Sequence, residues 1–407
     1  MKVIEGGVTA PAGFSASAGR GGLRKSGKND IALIYSGKVC NTAAVFTSNR
    51  LKAAPVLVTA SIISAGKRRI NGAVINSGNA NALTGVRGIR DAKQMGAYAA
   101  KLLGVPAGKM TVFSTGVIGQ FLPMKKVYAG IKDAVSSLSD SLSAGTKAAE
   151  AIMTTDKTRK EIAVEQTLSD GRRIRIGGMT KGSGMIAPDM KGLHATTLTF
   201  VTTDAPVSSR YLQKCLDSYI EDTLNMVCID GDQSTNDSVL VLSNGSAGGP
   251  SIRNDPMFEE AFGYVMHQLA RMLAMDGEGE TKLLTVEVNG ARNVQQARLA
   301  ARAVVKSNLV KCAVFGGDPN VGRIAAALGS SGCDIDFSKL DVSIGEDRKY
   351  PVISSGIVSD KPGRAANLMR KREVKFTIEL HKGKGSAVAL GCDMSYGYVR
   401  INSAYTT

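Results

Sequence analysis

Short apolar, β-prone runs alternate with amphipathic helix patterns along both halves of the chain. Val374–Leu380 shows the strict alternation of a half-buried strand, with every second residue apolar. Tyr211–Leu224 carries apolar residues at helical spacing, and another helix is predicted to begin at Asp255, an N-cap residue followed by Pro256. Because helices and sheets bury their apolar faces against one another, this interleaving predicts a mixed α/β fold with helices layered on packed sheets.

Further segments are predicted as strands from their apolar composition and turn-rich boundaries. They are Asp30–Tyr35, Ala43–Phe46, Met110–Ser114, Ile162–Gln166, Arg172–Ile176, Thr197–Thr202, Ala313–Phe315 and Tyr398–Ile401. Ser169–Gly171 is the predicted turn of a hairpin formed by the fourth and fifth of these strands. The sequence contains no G-x-G-x-x-G or P-loop pattern, so a nucleotide-binding fold has no support.

The composition is that of a globular protein with a strongly basic balance. The chain has 407 residues, 43% of them hydrophobic and 21% charged, and a formal net charge of +16. The densest basic runs, Lys67–Arg69 and Arg370–Arg372, are short and carry no interleaved aromatic residues, which does not favour a nucleic-acid partner. No apolar run reaches the length of a membrane span, and the N-terminus lacks a signal-peptide pattern. We therefore expect a cytoplasmic protein with solvated surface charge and no membrane partner.

The cysteines and histidines limit the chemistry that this chain is expected to use. Its six cysteines show no CxxC or zinc-like spacing, so we expect reduced thiols and no metal site. Only three histidines occur, His194, His267 and His381, and none lies in a recognisable nucleophile elbow. A nucleophile that supplies its own base would not need any of them.

The stretch Lys181–Ala205 is the most informative part of the sequence. It is rich in turn-forming residues up to about Pro188 and ends in the predicted strand Thr197–Thr202. Between these parts lies Ala195-Thr196, and cleavage before Thr196 would give that residue a free α-amino group beside its hydroxyl. Such an amine acts as the base for the hydroxyl. Ala-Thr pairs before strands are also common and usually structural, so the pattern needs support from the rest of the chain.

Two other polar segments are candidate site elements with equally ordinary interpretations. Met110–Ser114 runs into Thr115-Gly116, and a strand that ends in this pair places a hydroxyl and a backbone N–H at one point, as an oxyanion hole requires. On spacing alone a simple strand-to-loop turn is favoured. Thr154-Thr155-Asp156 follows a predicted helix, where a polar cluster is more often a cap than a site.

Several segments together resemble the glutamate N-acetyltransferase / ornithine acetyltransferase family of arginine biosynthesis. In the first half these are GVTAPAGF (7–14), NSGNANA (76–82), STGVIG (114–119), IMTTD (152–156), KGSGMIAPDM (181–190) and ATTLTFVTTDA (195–205). In the second half they are DGDQSTND (230–237), DGEGETK (276–282), GGDPNVGRI (316–324) and GCDMSYGYVRINSAYTT (391–407). The segments follow the family order along nearly the whole chain, which makes their combination far more specific than any one of them.

The resemblance implies a self-cleaving acetyltransferase with a layered α/β/β/α fold. Members of the family cut themselves before a threonine, which here gives an α subunit of residues 1–195 and a β subunit of residues 196–407. The new N-terminal threonine takes the acetyl group of N-acetylornithine, releases ornithine and passes the acetyl group to glutamate. The processed subunits assemble as an α2β2 heterotetramer. Some members also use acetyl-CoA, which the resemblance leaves open as a co-substrate; no cofactor is expected.

The family motifs also imply individual roles in this sequence. Thr196 matches the nucleophile, Ala195 the residue before the cut, and Thr115 and Gly116 the pair that stabilises the oxyanion. The matched substrate-binding residues, besides Thr196 itself, are Lys181, Glu278, Asn402, Thr407 and one threonine of the Thr154-Thr155 pair, with Thr155 favoured. A cation at Lys181 is suited to a substrate carboxylate and disfavours protonation of a neighbouring amine. A carboxylate at Glu278 is suited to the amine of ornithine.

The chain departs from the family pattern at the predicted cleavage loop. Residues 191–194 (KGLH) lie between Met190 and Ala195, which are adjacent in the family pattern. Two alternatives to the transferase therefore stay open. In one, a Thr-nucleophile amidohydrolase or aminopeptidase of related architecture sends the acyl group to water. In the other, an unprocessed binding protein has lost cleavage through the insertion.

Overall fold

The computed structural model describes residues 1–187, 197–346, 348–359 and 363–404. The predicted cleavage pair Ala195-Thr196, the inserted residues 191–194 and the C-terminal Thr407 lie outside the described residues. Their predicted roles are therefore treated as proposals below.

Strands and helices interleave along the whole described chain, as the sequence predicts. The strands are β1 (Lys2–Ile4), β2 (Ser15–Gly19), β3 (Ile31–Phe46), β4 (Arg69–Asn79), β5 (Met110–Val117), β6 (Lys160–Thr167), β7 (Arg173–Lys181), β8 (Leu198–Thr203), β9 (Val227–Cys228), β10 (Ser238–Ser243), β11 (Leu283–Ala291), β12 (Asp341–Ile344), β13 (Tyr350–Ser354), β14 (Ile357–Val358), β15 (Glu373–Glu379) and β16 (Gly385–Cys392). The α-helices are α1 (Ala54–Ala65), α2 (Gly85–Leu103), α3 (Met124–Ser136), α4 (Leu142–Ala151), α5 (Ser209–Ile220), α6 (Pro256–Ala274), α7 (Val294–Lys306), α8 (Asn308–Gly316), α9 (Val321–Gly329), α10 (Gly363–Met369) and α11 (Tyr396–Ala404).

The larger sheet is built around the long strand β3. Its strand order is β1-β6-β7-β8-β10-β3-β4-β5, and β2 also pairs with β3. The first part of β3 pairs with β2 and β4, whereas its last part, from Asn41 to Phe46, pairs with β10. A register shift between Tyr35 and Cys40 separates the two parts. The strand therefore belongs to both halves of the sheet, with an irregularity between them.

The two halves of this sheet pack against each other and carry helices on their outer faces. Phe113 of β5 and Phe200 of β8 meet edge to face, with ring centroids 5.0 Å apart, inside one apolar cluster. The opposite face of β4, at Val74, packs with α1, α2 and α3, and the opposite face of β8, at Val201, packs with α5 and α6. This arrangement is an α/β/β/α sandwich, so the predicted fold class is confirmed.

A smaller sheet forms the second part of the chain. Its order is β14-β13-β12-β15-β11-β16-β9. The helices α7 to α10 pack on it around a separate apolar cluster. Leu283 and Cys392 at the ends of β11 and β16 join the cluster of α5 and α6, so α6 links the two sheets.

Most local predictions are confirmed. The strands around Met110–Ser114 and Thr197–Thr202 are β5 and β8, and the predicted hairpin is β6–β7. Helix α6 begins after Asp255, whose carboxylate accepts the N–H groups of Met257 and Phe258 at 2.9 and 3.0 Å.

Two predicted strands are wrong. Ala313–Phe315 lies inside helix α8 and Tyr398–Ile401 inside helix α11. Both runs are too short for their periodicity to separate a strand from a buried helix turn. In α8, Val310 and Val314 are buried one helical turn apart. This helical spacing cannot be recognised within the three residues Ala313–Phe315, because Val310 lies outside them.

Candidate active site

A cavity of about 200 Å³, lined by both polar and apolar residues, lies where β5, β7 and β8 approach one another. It is lined by Ala80, Thr115, Gly116, Ile118, Thr154, Thr155, Lys181, Gly182, Gly184, Met185, Ile186, Thr197, Leu198, Ser234, Thr235, Asn236, Asp237, Glu278 and Asn402. Every described residue that the sequence predicts as a site residue is in this lining. The cavity therefore collects residues from segments that are far apart in the sequence.

The Thr115-Gly116 pair lies at the end of β5, in parallel register with Ser77 and Gly78 of β4. Gly116 has a φ of +131°, and a Cβ atom there would overlap the backbone of Gly78 and Asn79. Glycine is therefore required at this position. The close approach leaves Thr115 and Gly116 at the wall of the cavity, which is where an oxyanion hole would need its donors.

Asn236, on the loop before β10, holds this strand end in place. Its side-chain amide donates to the carbonyl oxygens of Ser114, at 2.8 Å, and Ala80, at 2.6 Å. The Thr235 hydroxyl in turn donates to the side-chain oxygen Oδ1 of Asn236 at 2.6 Å. A residue from the second half of the chain thus fixes the peptide group directly before Thr115. Sequence reasoning gave Asn236 no role, although it lies inside the DGDQSTND motif.

Lys181 at the end of β7 connects three parts of the cavity wall. Its Nζ donates to Thr154 Oγ1 at 2.8 Å and to Thr115 Oγ1 at 3.2 Å, and lies 4.0 Å from an Asp156 carboxylate oxygen. Burial lowers the pKa of Lys181, while the nearby Asp156 acts in the opposite direction. Thr154 is the threonine of its pair that bonds to Lys181, and the neighbouring Thr155 also lines the cavity.

A buried ionic network supports Lys181 from behind. Lys160 Nζ lies 2.7 Å from Asp156 and 2.5 Å from Asp276, and all three side chains are almost fully buried. Burial alone would raise the pKa of Asp156, but Lys181 and Lys160 together hold it well below its usual range. Asp156 also accepts the backbone N–H of Gly182 at 2.7 Å. The network thus fixes the backbone that follows Lys181.

We expect Lys160→Met to destabilise the protein by about 3–5 kcal/mol, because it leaves Asp156 and Asp276 buried without their shared cation. Lys157→Met is the matched control, since Lys157 is half exposed and its 3.5 Å pair with Glu280 is worth about 1 kcal/mol or less. Urea unfolding of the two variants measures both values. Equal midpoints would contradict the structural role of the network.

The network also predicts how the stability of the folded protein changes at acid pH. Because the folded-state pKa of Asp156 is lowered, its contribution to stability is fully present above the ordinary aspartate pKa of about 4. That contribution is lost as the pH falls through the lowered pKa.

Glu278 and Asn402 form the opposite wall. Glu278 lies after the end of α6, where its backbone N–H donates to the carbonyl of Ser183 at 2.8 Å. A Cβ atom at Gly184 would overlap the Glu278 carboxylate, so the two segments are closely packed. Asn402 on α11 donates to Glu278 Oε2 at 2.8 Å. The C-terminal helix therefore brings a polar side chain to the cavity, although the sequence predicted a strand there.

Asp237 is a cavity residue that sequence reasoning did not single out. It is buried, and it immediately precedes β10, whose first residue pairs in parallel with Leu198 of β8. Ser238 N–H donates to the carbonyl of Thr197 at 2.5 Å, which joins the two strand starts. In the sequence, the feature that could have identified Asp237 as a cavity residue is its position as the last residue of the DGDQSTND motif.

The remaining candidate groups lie elsewhere. His267 on α6 meets Tyr219 edge to face, and His381 contacts Asp341 at 2.7 Å; neither histidine lines the cavity. Within the described part of the chain, no group of three or more His, Cys, Asp or Glu side chains is placed to hold a metal ion. No helix in those same residues has the length and apolar character that crossing a membrane requires.

A layered α/β/β/α fold whose cavity combines a Thr-Gly strand end, a lysine and two carboxyl groups has the features of an acyl-transfer enzyme. A sequence model of the ArgJ family matches residues 15–407. The arginine biosynthesis bifunctional protein ArgJ of Symbiobacterium thermophilum is 46% identical over the full length of both chains. The glutamate N-acetyltransferase of Methanocaldococcus jannaschii is 42% identical, also over both full lengths. This chain belongs to the ArgJ family, which confirms the predicted family.

Two solved structures resemble parts of the chain. One is the arginine biosynthesis bifunctional protein ArgJ of Bacillus halodurans, 38% identical, with a TM-score of 0.48 over 51% of this chain and 98% of that one. The other is an ornithine acetyltransferase from Mycobacterium tuberculosis complexed with ornithine, also 38% identical. Its TM-score is 0.43 over 46% of this chain and 96% of that one. Family membership follows from the sequence matches, which extend over the whole chain.

Proposed function

We propose that this protein transfers the acetyl group of N2-acetyl-L-ornithine to L-glutamate, giving L-ornithine and N-acetyl-L-glutamate. The reaction runs through an acetyl ester on Thr196, after the chain has cut itself between Ala195 and Thr196 into residues 1–195 and 196–407. The observation that carries the proposal is the single cavity that gathers Thr115, Lys181 and Glu278 beside Thr197. The activities named for full-length relatives at 42–46% identity support it.

In the first half-reaction the Thr196 hydroxyl attacks the acetyl carbonyl carbon. The proton of the hydroxyl moves to the α-amino group of the same residue, which acts as the base. The Thr115-Gly116 pair stabilises the negative charge that develops on the carbonyl oxygen. The bond between the acetyl carbon and the ornithine nitrogen then breaks, and the ammonium returns its proton to the leaving nitrogen.

In the second half-reaction the neutral amine of glutamate attacks the acetyl ester. The α-amino group of Thr196 takes a proton from the attacking nitrogen and returns it to the threonine oxygen as the ester bond breaks. Atoms and charges balance over the two steps, because the acetyl group exchanges one amine for another. An amide and an amine enter, an amide and an amine leave, and no oxidation state changes, so the two steps need no cofactor.

The cavity charges suit both substrates. Lys181 is placed to hold a substrate carboxylate, with Thr154 or Thr155 beside it. Glu278 suits the side-chain ammonium of ornithine. The amide of Asn402 carries both a donor and an acceptor, so it serves the ammonium of ornithine and the γ-carboxylate of glutamate alike. Thr407 completes the proposed substrate contacts.

The test is an assay of the purified chain with N-acetylornithine, in the presence and absence of glutamate. Transfer predicts that ornithine is released in step with N-acetylglutamate, with the parallel-line kinetics of a ping-pong reaction. Steady ornithine release without glutamate would identify the hydrolase alternative. Binding of acetylornithine without turnover, by an uncut chain, would identify the binding protein. Replacing the donor with acetyl-CoA shows in the same assay whether acetyl-CoA is a co-substrate.

We expect the transferase rate to fall on the acid side of neutral pH. The α-amino group of Thr196 has to be neutral to act as a base, and α-amino groups titrate near about 8. Lys181 in the same cavity favours the neutral amine and moves the midpoint to lower pH. A rate that stays flat from about pH 6 to 9 would contradict the amine as the base.

In the same proposal the processed subunits assemble in the cytoplasm as an α2β2 heterotetramer, with small molecules as substrates. Light scattering of the purified enzyme tests this assembly, which should have about twice the mass of the 42.6 kDa chain. A species at the mass of one chain would contradict it.

A further inference from the structure

Asp237 is a buried carboxyl group of the cavity wall without a complete set of partners. The residue is 4% exposed, and its Oδ2 atom accepts no hydrogen bond from any residue that the structure describes. Its backbone is firmly held, because its carbonyl accepts from Thr47 at 3.0 Å and the next N–H donates to Thr197. The backbone at Asp237 is therefore fixed, while one oxygen of its carboxyl group has no hydrogen-bond donor among the described residues.

The other buried or partly buried aspartates around the cavity behave differently. Asp156 and Asp276 share Lys160 and also accept backbone N–H groups. Asp230 accepts the backbone N–H groups of Met185 and Ile186 at 2.5 and 2.9 Å. These carboxylates are occupied by structural contacts. An unpaired buried carboxyl group costs free energy, and such groups concentrate at functional sites.

The electrostatic setting of Asp237 points to a cationic partner. Burial raises the pKa of Asp237 well above its usual range, while the Ser234 hydroxyl and Lys181 act in the opposite direction. The charged side chains that line the same cavity are Lys181 on β7 and Glu278 after α6, and Asp156 and Lys160 lie behind Lys181. Lys181 is already bonded to Thr115 and Thr154. A positively charged ligand therefore satisfies a group that the protein itself leaves unpaired.

We propose that the Asp237 carboxylate is the hydrogen-bond acceptor for an alkylammonium group at the reacting centre of this cavity. The inference rests on the proposed transfer reaction, which supplies this chemistry from two sources. One is the α-ammonium that forms at the N-terminus of the processed second subunit when it takes a proton. The other is the α-amino group of ornithine or glutamate. Burial favours the neutral form of Asp237, and the ammonium in turn favours its ionised form, so the carboxylate and the cation stabilise each other when both are present in the cavity.

The test is Asp237→Asn, compared with wild type in rate, pH profile and thermal stability. We expect kcat to fall about 10- to 100-fold, the value for one hydrogen bond to a charged group. The melting temperature should stay the same or rise, because the substitution removes an unpaired buried acid. Loss of activity together with gain of stability is an outcome that a purely structural aspartate would not give.

Measuring the two half-reactions separately shows which of the two amines contacts Asp237. If the partner is the N-terminal amine, both half-reactions slow, and the acid limb moves about one unit or more to lower pH, because a carboxylate raises the pKa of a neighbouring ammonium. If the partner is the substrate amine, the KM for glutamate rises and the acid limb stays in place. Asp237→Glu, which keeps the charge, should restore the wild-type midpoint in the first case.

Asp204→Asn is the matched control. Asp204 is also a buried aspartate, but it lies outside the cavity and accepts the backbone N–H groups of Ala12 and Arg175 at 3.1 and 2.8 Å. We expect this variant to melt at a lower temperature with unchanged kcat. An Asp237→Asn enzyme that melts lower, as the control does, would overturn the proposal. So would one that keeps the wild-type rate, KM and pH profile.

Processing is checked by intact mass before the kinetics. The cut precedes formation of any free α-amine, so Asp237→Asn should mature normally. A variant that stays uncut would overturn the proposal, since Asp237 would then act in cleavage. An inactive wild-type enzyme would instead refute the proposed function, so the two failures are distinguishable.

Discussion

Thr196→Ala is expected to yield a single uncut chain near 42.6 kDa with at least about 10³-fold less transferase activity. In the proposed reaction, the substitution removes the hydroxyl that attacks the preceding peptide bond and later the acetyl group. It therefore abolishes both the cut and the acetyl ester. Intact mass spectrometry of the wild type should show two fragments that meet between Ala195 and Thr196, and the assay with acetylornithine and glutamate measures the loss.

The matched control is Thr199→Ala, another threonine of the same segment. The Thr199 hydroxyl is buried within the sheet, 2.7 Å from that of Thr180 and 2.9 Å from that of Thr197. Its loss is expected to cost about 1–3 kcal/mol of stability while both fragments still form. Cleavage that persists in Thr196→Ala would place the cut elsewhere. A wild-type chain that stays whole would mean that the inserted residues 191–194 have changed processing.

Gly116→Ala should lower kcat by about 10²- to 10³-fold with a small effect on KM, the size expected when one oxyanion donor is lost. A Cβ atom at this position overlaps the backbone of Gly78 and Asn79, so the strand end has to move away from β4. That movement displaces the N–H of residue 116 and the hydroxyl of Thr115 together. Because the donors act on the developing negative charge in the proposed mechanism, the loss is expected mainly in kcat. Steady-state kinetics of the processed variant measures the effects on kcat and KM separately.

Gly119→Ala separates this effect from ordinary glycine strain. Gly119 also has a positive φ, of +86°, but an added Cβ atom would meet no atom within 4 Å. We expect a loss of about 1–2 kcal/mol of stability and no change in kcat. If Gly119→Ala lowered kcat as much as Gly116→Ala, backbone strain rather than the oxyanion site would explain both results.

The sequence by itself predicted the family, the fold class and the segments that line the candidate cavity. These features depend on local patterns. The N-cap at Asp255 and the alternation in Val374–Leu380 involve residues that are neighbours in the chain. The motifs likewise carry their information in contiguous residues, which is why Thr115, Lys181 and Glu278 were selected before any contact between them was known.

Tertiary structure alone decided how these segments act on one another. It placed Thr154 against Lys181 and left Asp237 with an unpaired oxygen. It also formed helix α11, which includes Asn402, in place of the strand predicted at Tyr398–Ile401. It also brought Asp276 to Lys160 across more than a hundred residues of sequence. Whether a buried polar group is satisfied depends on atoms from distant segments that reach within about 3 Å of it. No local pattern in the sequence encodes that distance, so the pairing and burial of the cavity side chains emerged only from the folded chain.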